Sequence, residues 1–159
     1  MPRRVRPKLP AEWHVPENPK KWITWEHANE KLAREMVYWI STSSMDGKPH
    51  AAPVWGIWRS NRLWFETDPN SPKGRNLAMN PRIVFHIEDG MDTVIVEGAV
   101  EREKNTGRLK LLKTEYVQKY EYKPDWTDGQ HQIVFRVKHR IAHAWKAQRM
   151  HKSLVNFIF

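Results

Sequence analysis

The stretch "YWISTSSMDGKPHAAPVWGIW", residues 38–58, restricts the possible folds more than any other part of the chain. Two runs that alternate apolar and polar residues flank Asp46-Gly47. An Asp-Gly pair between such runs signals a β-hairpin: the turn needs positive φ, and the runs need one buried face. The same grammar recurs downstream. "NRLWFET" reads as a third strand after a Ser60-Asn61 turn, and "RIVFHIED" and "TVIVEGAVERE" as a hairpin across Gly90-Met91. "QIVFRVKHRIAHAW" and "SLVNFIF" read as late strands. Some six or seven strands joined by short gaps predict a mainly β (α+β) domain, a closed or nearly closed antiparallel barrel with flanking helices. Gly56 and Gly98 fall inside strands, where they predict bends or close backbone approach.

Three segments read as helices. Thr24 suits an N-cap, and Trp25, Ala28, Leu32 and Met36 then recur at spacings of three or four, predicting an amphipathic helix over residues 25–37. "PKGRNLAMN" reads as a short helix with Pro72 in its first turn, where the missing N–H costs nothing. "NTGRLKLLKTEYVQKYEY" reads as a longer one. Residues 1–23 carry Pro2, Pro7, Pro10, Pro16 and Pro19, which predicts an extended basic arm without regular elements. Trp13 and Trp22 are expected to pin this arm to the body, which spans residues 24–159. On this reading the first ten residues are dispensable for folding.

Composition removes several classes of function. The chain of 159 residues has no Cys, which excludes disulfides, thiolate metal sites and Cys nucleophiles. No apolar run approaches the roughly 18 residues of a membrane span, and nothing resembles a secretory signal, so a cytoplasmic protein with no membrane association is expected. The net charge of +9 favours an acidic partner, whether a phosphorylated small molecule, a nucleic acid or another polyanion. His139 and His143 have metal spacing only on a helix; on a strand they lie ~13 Å apart and cannot share an ion. His86 reads as a core or sheet-surface residue. Glu88, Asp89 and Asp92 flank a turn and are expected to be solvated. Neither an acid–base pair nor a nucleophile motif is visible.

The stretch most suggestive of a ligand is "TDPNSPKGRNLAMNPRIVFHI", residues 67–87. Thr67 ends a strand, Ser71 begins the short helix, and Lys73 and Arg75 lie in its first turn. Exposed N–H groups and the positive end of the helix dipole make such a terminus an anion site. Thr67, Ser71 and Lys73 could converge on one phosphate; a capped surface helix with solvated cations has the same spacing. Across the strand from His50 to Trp58, Pro53, Trp55 and Ile57 share one face and Ala52, Val54, Gly56 and Trp58 the other. The small residues Ala51, Ala52 and Gly56 would let a flat ligand approach the backbone, as tight sheet packing also would.

With its order and spacing, "STSSMDGKPHAAPVWGIW…LWFETDPNSPKGRNLAMNPRIVFHIED…TVIVEGAVE" resembles the pyridoxamine 5′-phosphate oxidase-like family of flavin-binding split β-barrels. The resemblance implies a split barrel that binds FMN or the deazaflavin coenzyme F420. It also implies a homodimer with the cofactor at the subunit interface. The implied contacts are His50, Ala51, Pro53, Val54 and Trp55 at the ring, and Thr67, Ser71, Lys73, Arg75 and Asn76 at the phosphate. Trp145 would reach the partner subunit's flavin. The chain departs from the family pattern at Pro72, where Arg is usual and Arg75 could substitute. It lacks the Arg that begins a flavin-contacting strand, having "HAAPVW" there, and it lacks the C-terminal Arg-His pattern. These departures speak against pyridoxamine phosphate as substrate and toward a flavin- or deazaflavin-dependent oxidoreductase acting on another small molecule. The competing readings are a non-catalytic flavin or haem carrier on the same barrel, and a nucleic-acid-binding barrel that uses the basic arm and exposed Trp.

Overall fold

The computed structural model describes residues 1–13, 22–126 and 131–159. Among the described residues nine strands form one sheet: β1 (Arg3–Val5), β2 (Tyr38–Ser43), β3 (Pro49–Val54), β4 (Gly56–Arg59), β5 (Arg62–Thr67), β6 (Arg82–His86), β7 (Asp92–Arg102), β8 (Ile133–Lys146) and β9 (Val155–Ile158). The helices are α1 (Trp25–Arg34), α2 (Pro72–Met79), α3 (Thr106–Tyr120) and α4 (Met150–Ser153). Every pairing is antiparallel, in the order β1-β9-β8-β7-β6-β2-β3. β5 pairs with the start of β8, and β4 with β5. The two ends of this circuit, β3 and β4, are separated by Trp55 alone, so the chain itself turns the corner that closes the barrel.

Turn chemistry sets the hairpins. Ser60 and Asn61 take φ of 49° and 57°, the paired left-handed residues of a two-residue β-turn. Gly47 takes φ of 84° in the β2–β3 turn. Gly98 stands where the β7/β8 register shifts, and a Cβ there would lie 2.3 Å from the Lys138 carbonyl oxygen. That bulge lets β7 and β8 coil around the barrel, and it turns His139 inward while His143 faces out.

The interior is filled by Ile40, Leu63, Phe65, Phe85, Val94, Val96, Val137 and Phe157, with Trp25 and Leu32 of α1 packed onto them. Thr24 caps α1 by accepting from the His27 N–H, and the Tyr38 hydroxyl donates to the Leu32 carbonyl at 2.6 Å. The helix ends at Arg34, one turn earlier than its apolar periodicity suggests, and Met36 is exposed. The next residues must become extended to enter β2. α3 covers a second cluster, in which Leu112 and Tyr116 pack on Ile57, Trp64 and Val134.

Two readings of the sequence need correction. Residues 1–23 are not without regular elements: Arg3–Val5 forms β1 on the open edge of β9, and Ala11–Trp13 forms a short 3-10 turn. Pro2 and Pro7 bracket β1 without entering it, and an edge strand tolerates Pro just outside its ladder. Residues 14–21 lie outside the described residues, as does the anchoring expected of the Trp13 side chain; Trp22 packs against the core. Second, His50–Trp58 is not one strand. The ladder breaks at Trp55, so β3 pairs with β2 and β4 with β5. Gly56 pairs with Phe65 at the start of β4, and α3 holds its peptide N–H and carbonyl. The Tyr120 hydroxyl accepts from the Gly56 N–H at 2.8 Å, and the Lys119 ammonium donates to the Gly56 carbonyl at 2.9 Å.

Candidate anion and cofactor site

The start of α2 gathers most of the polar residues expected there. β5 ends at Thr67, which is buried. Its hydroxyl lies 3.0 Å from that of Ser71, the N-cap of α2. The Ser71 hydroxyl donates to the Asp68 carbonyl at 2.7 Å and accepts from the Gly74 N–H at 3.1 Å. Gly74 is required by the turn, because a Cβ would lie 2.2 Å from the Asp68 carbonyl oxygen. Of the first N–H groups of the helix, which have no partner within it, Pro72 has none and Ser71 takes that of Gly74. The N–H of Lys73 remains. The Lys73 side chain is half-buried and makes no hydrogen bond or ion pair among the described residues.

Neighbouring residues complete one side of the site. The Asn76 amide donates to the Thr42 hydroxyl at 3.1 Å, and the Asn80 amide to that of Ser43, which fixes α2 across the end of β2. His50 pairs with Thr42 in the ladder and shares its face. Arg75 points elsewhere: it is exposed and donates to the Asn70 carbonyl, bracing the turn before the helix. That contact leaves Arg75 a poor stand-in for the Arg replaced by Pro72.

The residues expected around a ring are divided between faces. Val54 is buried in the core and offers only its backbone. Ala51 and Pro53 are exposed on the outer sheet face, opposite Ser41 and Trp39. A groove of about 890 Å³ crosses that sheet, lined in part by Ser41, Thr42, Arg82, Lys138 and Arg140. Trp55 is not part of this constellation. It lies at the far end of β3 from His50 and stacks on Tyr120 of α3, with ring centroids 4.7 Å apart and planes 3° apart. Trp145 is on the outer face near the end of β8, paired with Thr93, whereas Thr67 pairs with Ile133 at the strand's start. One chain therefore does not bring Trp145 to the α2 site.

Of the carboxylates in the β6–β7 turn, Glu88 is exposed and accepts from the Trp39 indole N–H at 3.0 Å, whereas Asp89 and Asp92 are engaged by α1. Asp89 accepts from Lys31 at 2.6 Å and from the N–H groups of Met91 and Asp92, and the lysine beside it holds its carboxyl down to about 2. Asp92 meets His27 at 2.9 Å. These pairs clamp α1 to the barrel, a link that no local pattern could signal. Sequence reasoning also missed His139. It is buried against Trp58, Phe85 and Phe159, neither ring nitrogen has a partner among the described residues, and burial lowers its pKa to about 4. No cluster of metal-ligating residues occurs among the described residues.

The family model described as pyridoxamine 5′-phosphate oxidase matches residues 24–145. No curated protein matches. Among solved structures, a conserved hypothetical protein from Mycobacterium tuberculosis superposes with a TM-score of 0.66 at 22% identity, over 78% of this chain and 85% of that one. An F420 reductase superposes with a TM-score of 0.58 at 22% identity, over 72% of this chain and 94% of that one. A haem-binding protein from Mycobacterium smegmatis superposes with a TM-score of 0.65 at 19% identity, over 74% of this chain but only 52% of that one. At these identities the likeness establishes a split-barrel fold.

Proposed function

The chain belongs to the pyridoxamine 5′-phosphate oxidase family, and we propose that it is an oxidoreductase using FMN or the deazaflavin F420 on a small molecule other than pyridoxamine phosphate. The observation that carries this reading is Lys73: an unpaired, half-buried ammonium at a helix N-terminus, beside the Thr67–Ser71 hydroxyl pair. An unpaired cation is disfavoured there, and a phosphate reverses that cost.

The residues present fit such a group. Lys73 supplies charge and a free N–H, while Thr67 and Ser71 supply hydroxyls that can turn from each other and from Asp68 toward an anion. Asn76 holds Thr42 and keeps α2 at a fixed height over β2. The exposed, small-residue surface at Ala51 and Pro53 allows a flat ring to lie against the β3 backbone. The cofactor, when bound, supplies the hydride or electron chemistry, and the protein's part is anchoring, orientation and exclusion of water. This division of labour agrees with a site in which no acid–base pair is evident. The outer sheet face, where Ala51, Pro53, Trp39 and Trp145 lie, is proposed to meet a second copy of the chain.

The competing reading is a haem carrier. A neutral, unpaired imidazole is what iron would need, and His139 is one; yet Trp58, Phe85 and Phe159 enclose its ring. The test is the visible spectrum of the purified protein, followed by titration of the apoprotein with FMN and F420. A flavin or deazaflavin band supports the proposal. A Soret band, or no affinity for either cofactor, overturns it.

A further inference from the structure

A second cavity lies apart from the groove across the outer sheet. It opens between α3 and the adjoining ends of β7 and β8, holds about 690 Å³, and falls within the roughly 300–1,000 Å³ of small-molecule sites. Its floor is apolar, formed by Leu109, Trp126, Ile133 and Val134, and its rim carries Arg102, Lys104, Lys110 and Lys113. Leu109, Lys110 and Lys113 follow Thr106 at helical spacings of three, four and seven, so one face of α3 presents the two lysines and the leucine together.

Among the described residues, the lysine side chains of this cleft have no acidic partner. The ammonium groups of Lys104, Lys110 and Lys113 make no ion pair or hydrogen bond among the described residues. The carboxylate lining the cavity, Glu103, is buried and already engaged. It accepts from the Arg108 guanidinium at 2.8 Å and the Asn105 N–H at 3.0 Å. Burial opposes its ionisation, but these contacts outweigh it and hold the pKa below the usual value. Glu66, behind Trp126, accepts from Tyr116 through one oxygen and from Trp126 through the other. The cleft thus combines an apolar floor with rim lysines that have no acidic partner among the described residues.

We propose that this cleft is a binding site for an amphipathic organic anion: a flat or aliphatic body seated on Leu109, Trp126 and Val134, with a carboxylate, sulfonate or phosphate group held by Lys110 and Lys113. The site is distinct from the Lys73 anchor and does not depend on the cofactor assignment. Its nearness to that anchor is set by the ladder, since Ile133 lines the cleft and pairs with Thr67. A substrate acid or an effector could therefore bind beside the cofactor without displacing its phosphate.

The test uses anilinonaphthalene sulfonate as probe, with the indole N–H resonances as a local readout. Trp126→Phe assigns one of those resonances. Titrating wild type should shift the Trp126 signal at low salt and less so at high salt. Lys110→Glu with Lys113→Glu should weaken the binding that shifts Trp126 by roughly tenfold or more. Both positions lie on the solvent side of α3, so the melting temperature should be kept. Lys73→Ala should leave this binding unchanged, and the double variant should leave FMN and F420 affinity unchanged. The neutral analogue N-phenylnaphthylamine should bind weakly and alike to wild type and double variant. The proposal fails if the probe does not move Trp126, if the double variant binds it as wild type does, or if the neutral analogue binds as tightly. Equal loss in Lys73→Ala would also overturn it, by assigning the probe to the cofactor anchor.

Discussion

Lys73 occupies a position that a helix dipole disfavours for a cation, and nothing among the described residues compensates it. Lys73→Ala should therefore leave thermal stability nearly unchanged while weakening FMN or F420 by about 1.5–3 kcal/mol, one to two decades in Kd. Lys73→Gln should lose nearly as much, since length is kept and charge is not. Arg75→Ala should lose less, because its guanidinium braces the Asn70 carbonyl instead of facing the site. Titration calorimetry on the three variants checks the order; tight binding by Lys73→Ala would remove the anchor. His139 supports a prediction of a different kind. Its folded pKa is depressed to about 4 by burial, so between pH 6.5 and 4 the unfolded chain binds more protons than the folded one. The stability this residue allows is present above pH 6.5 and is lost as pH falls through that window. His139→Phe, which keeps a ring against Trp58, should flatten this part of the pH–stability curve by an amount on the order of 2–3 kcal/mol. Urea unfolding from pH 7 to 4 measures it, and parallel curves for the two proteins would mean that His139 gains a partner in solution.

At the scale of elements, the edge strand is the instructive case. β1 contributes a three-residue ladder to β9, pairing Arg3 with Ile158 and Val5 with Asn156. Deleting residues 1–6 should cost about 1–3 kcal/mol and lower the Tm by several degrees. An unchanged melting curve would mean that the ladder is frayed in solution. Proline density concealed this strand, because the rule that Pro breaks regular structure says nothing about three residues between two prolines on an open edge. The hairpins, by contrast, were legible because turn residues and period-two runs are local signals. So was the α2 constellation, where Thr67, Ser71 and Lys73 lie within seven positions. Trp55 was misplaced because alternation continues through it: Val54 and Trp58 do face the core, and Ile57 faces α3. Only the partner strand changes, and a partner's identity is not a local property. The basic cleft was illegible for the same reason, since its lysines meet Trp126 and Val134 through tertiary packing alone. Gly98 joins the two levels: the sequence flags a close approach, and the structure supplies the Lys138 carbonyl. Gly98→Val should destabilise the barrel by about 2–4 kcal/mol, read as a drop in the urea midpoint.

For the whole molecule, the outer face of β3-β2-β6-β7-β8 decides whether one chain is sufficient. Cross-strand register sets Pro53, Trp39, His86, Ile95 and His143 in one row of that face, and Ala51, Ser41, Val84, Glu97 and Ile141 in the next. Trp39, Ile95, Ile141 and Trp145 are only half-buried there, while Ala51 and Pro53 are exposed. Half-buried large apolar side chains on one sheet face, here interspersed with His86, His143, Ser41 and Glu97, are characteristic of an interface, and a stable one buries about 1,200–2,000 Å² in total. One chain holds Trp145 away from the surface beside Ala51 and Pro53, so the expected contact of Trp145 with a ring there requires a second copy. Sedimentation at micromolar concentration should give a dimer for wild type. Ile95→Asp places a charge in the middle of the row without entering the barrel interior, so it should give a folded monomer. If the ring site spans the two copies, that monomer should also lose cofactor affinity by one decade or more, on the order of 1.5 kcal/mol, with its Lys73 anchor intact. A wild-type monomer that binds cofactor tightly would confine the whole site to one chain and leave Trp145 with a packing role alone.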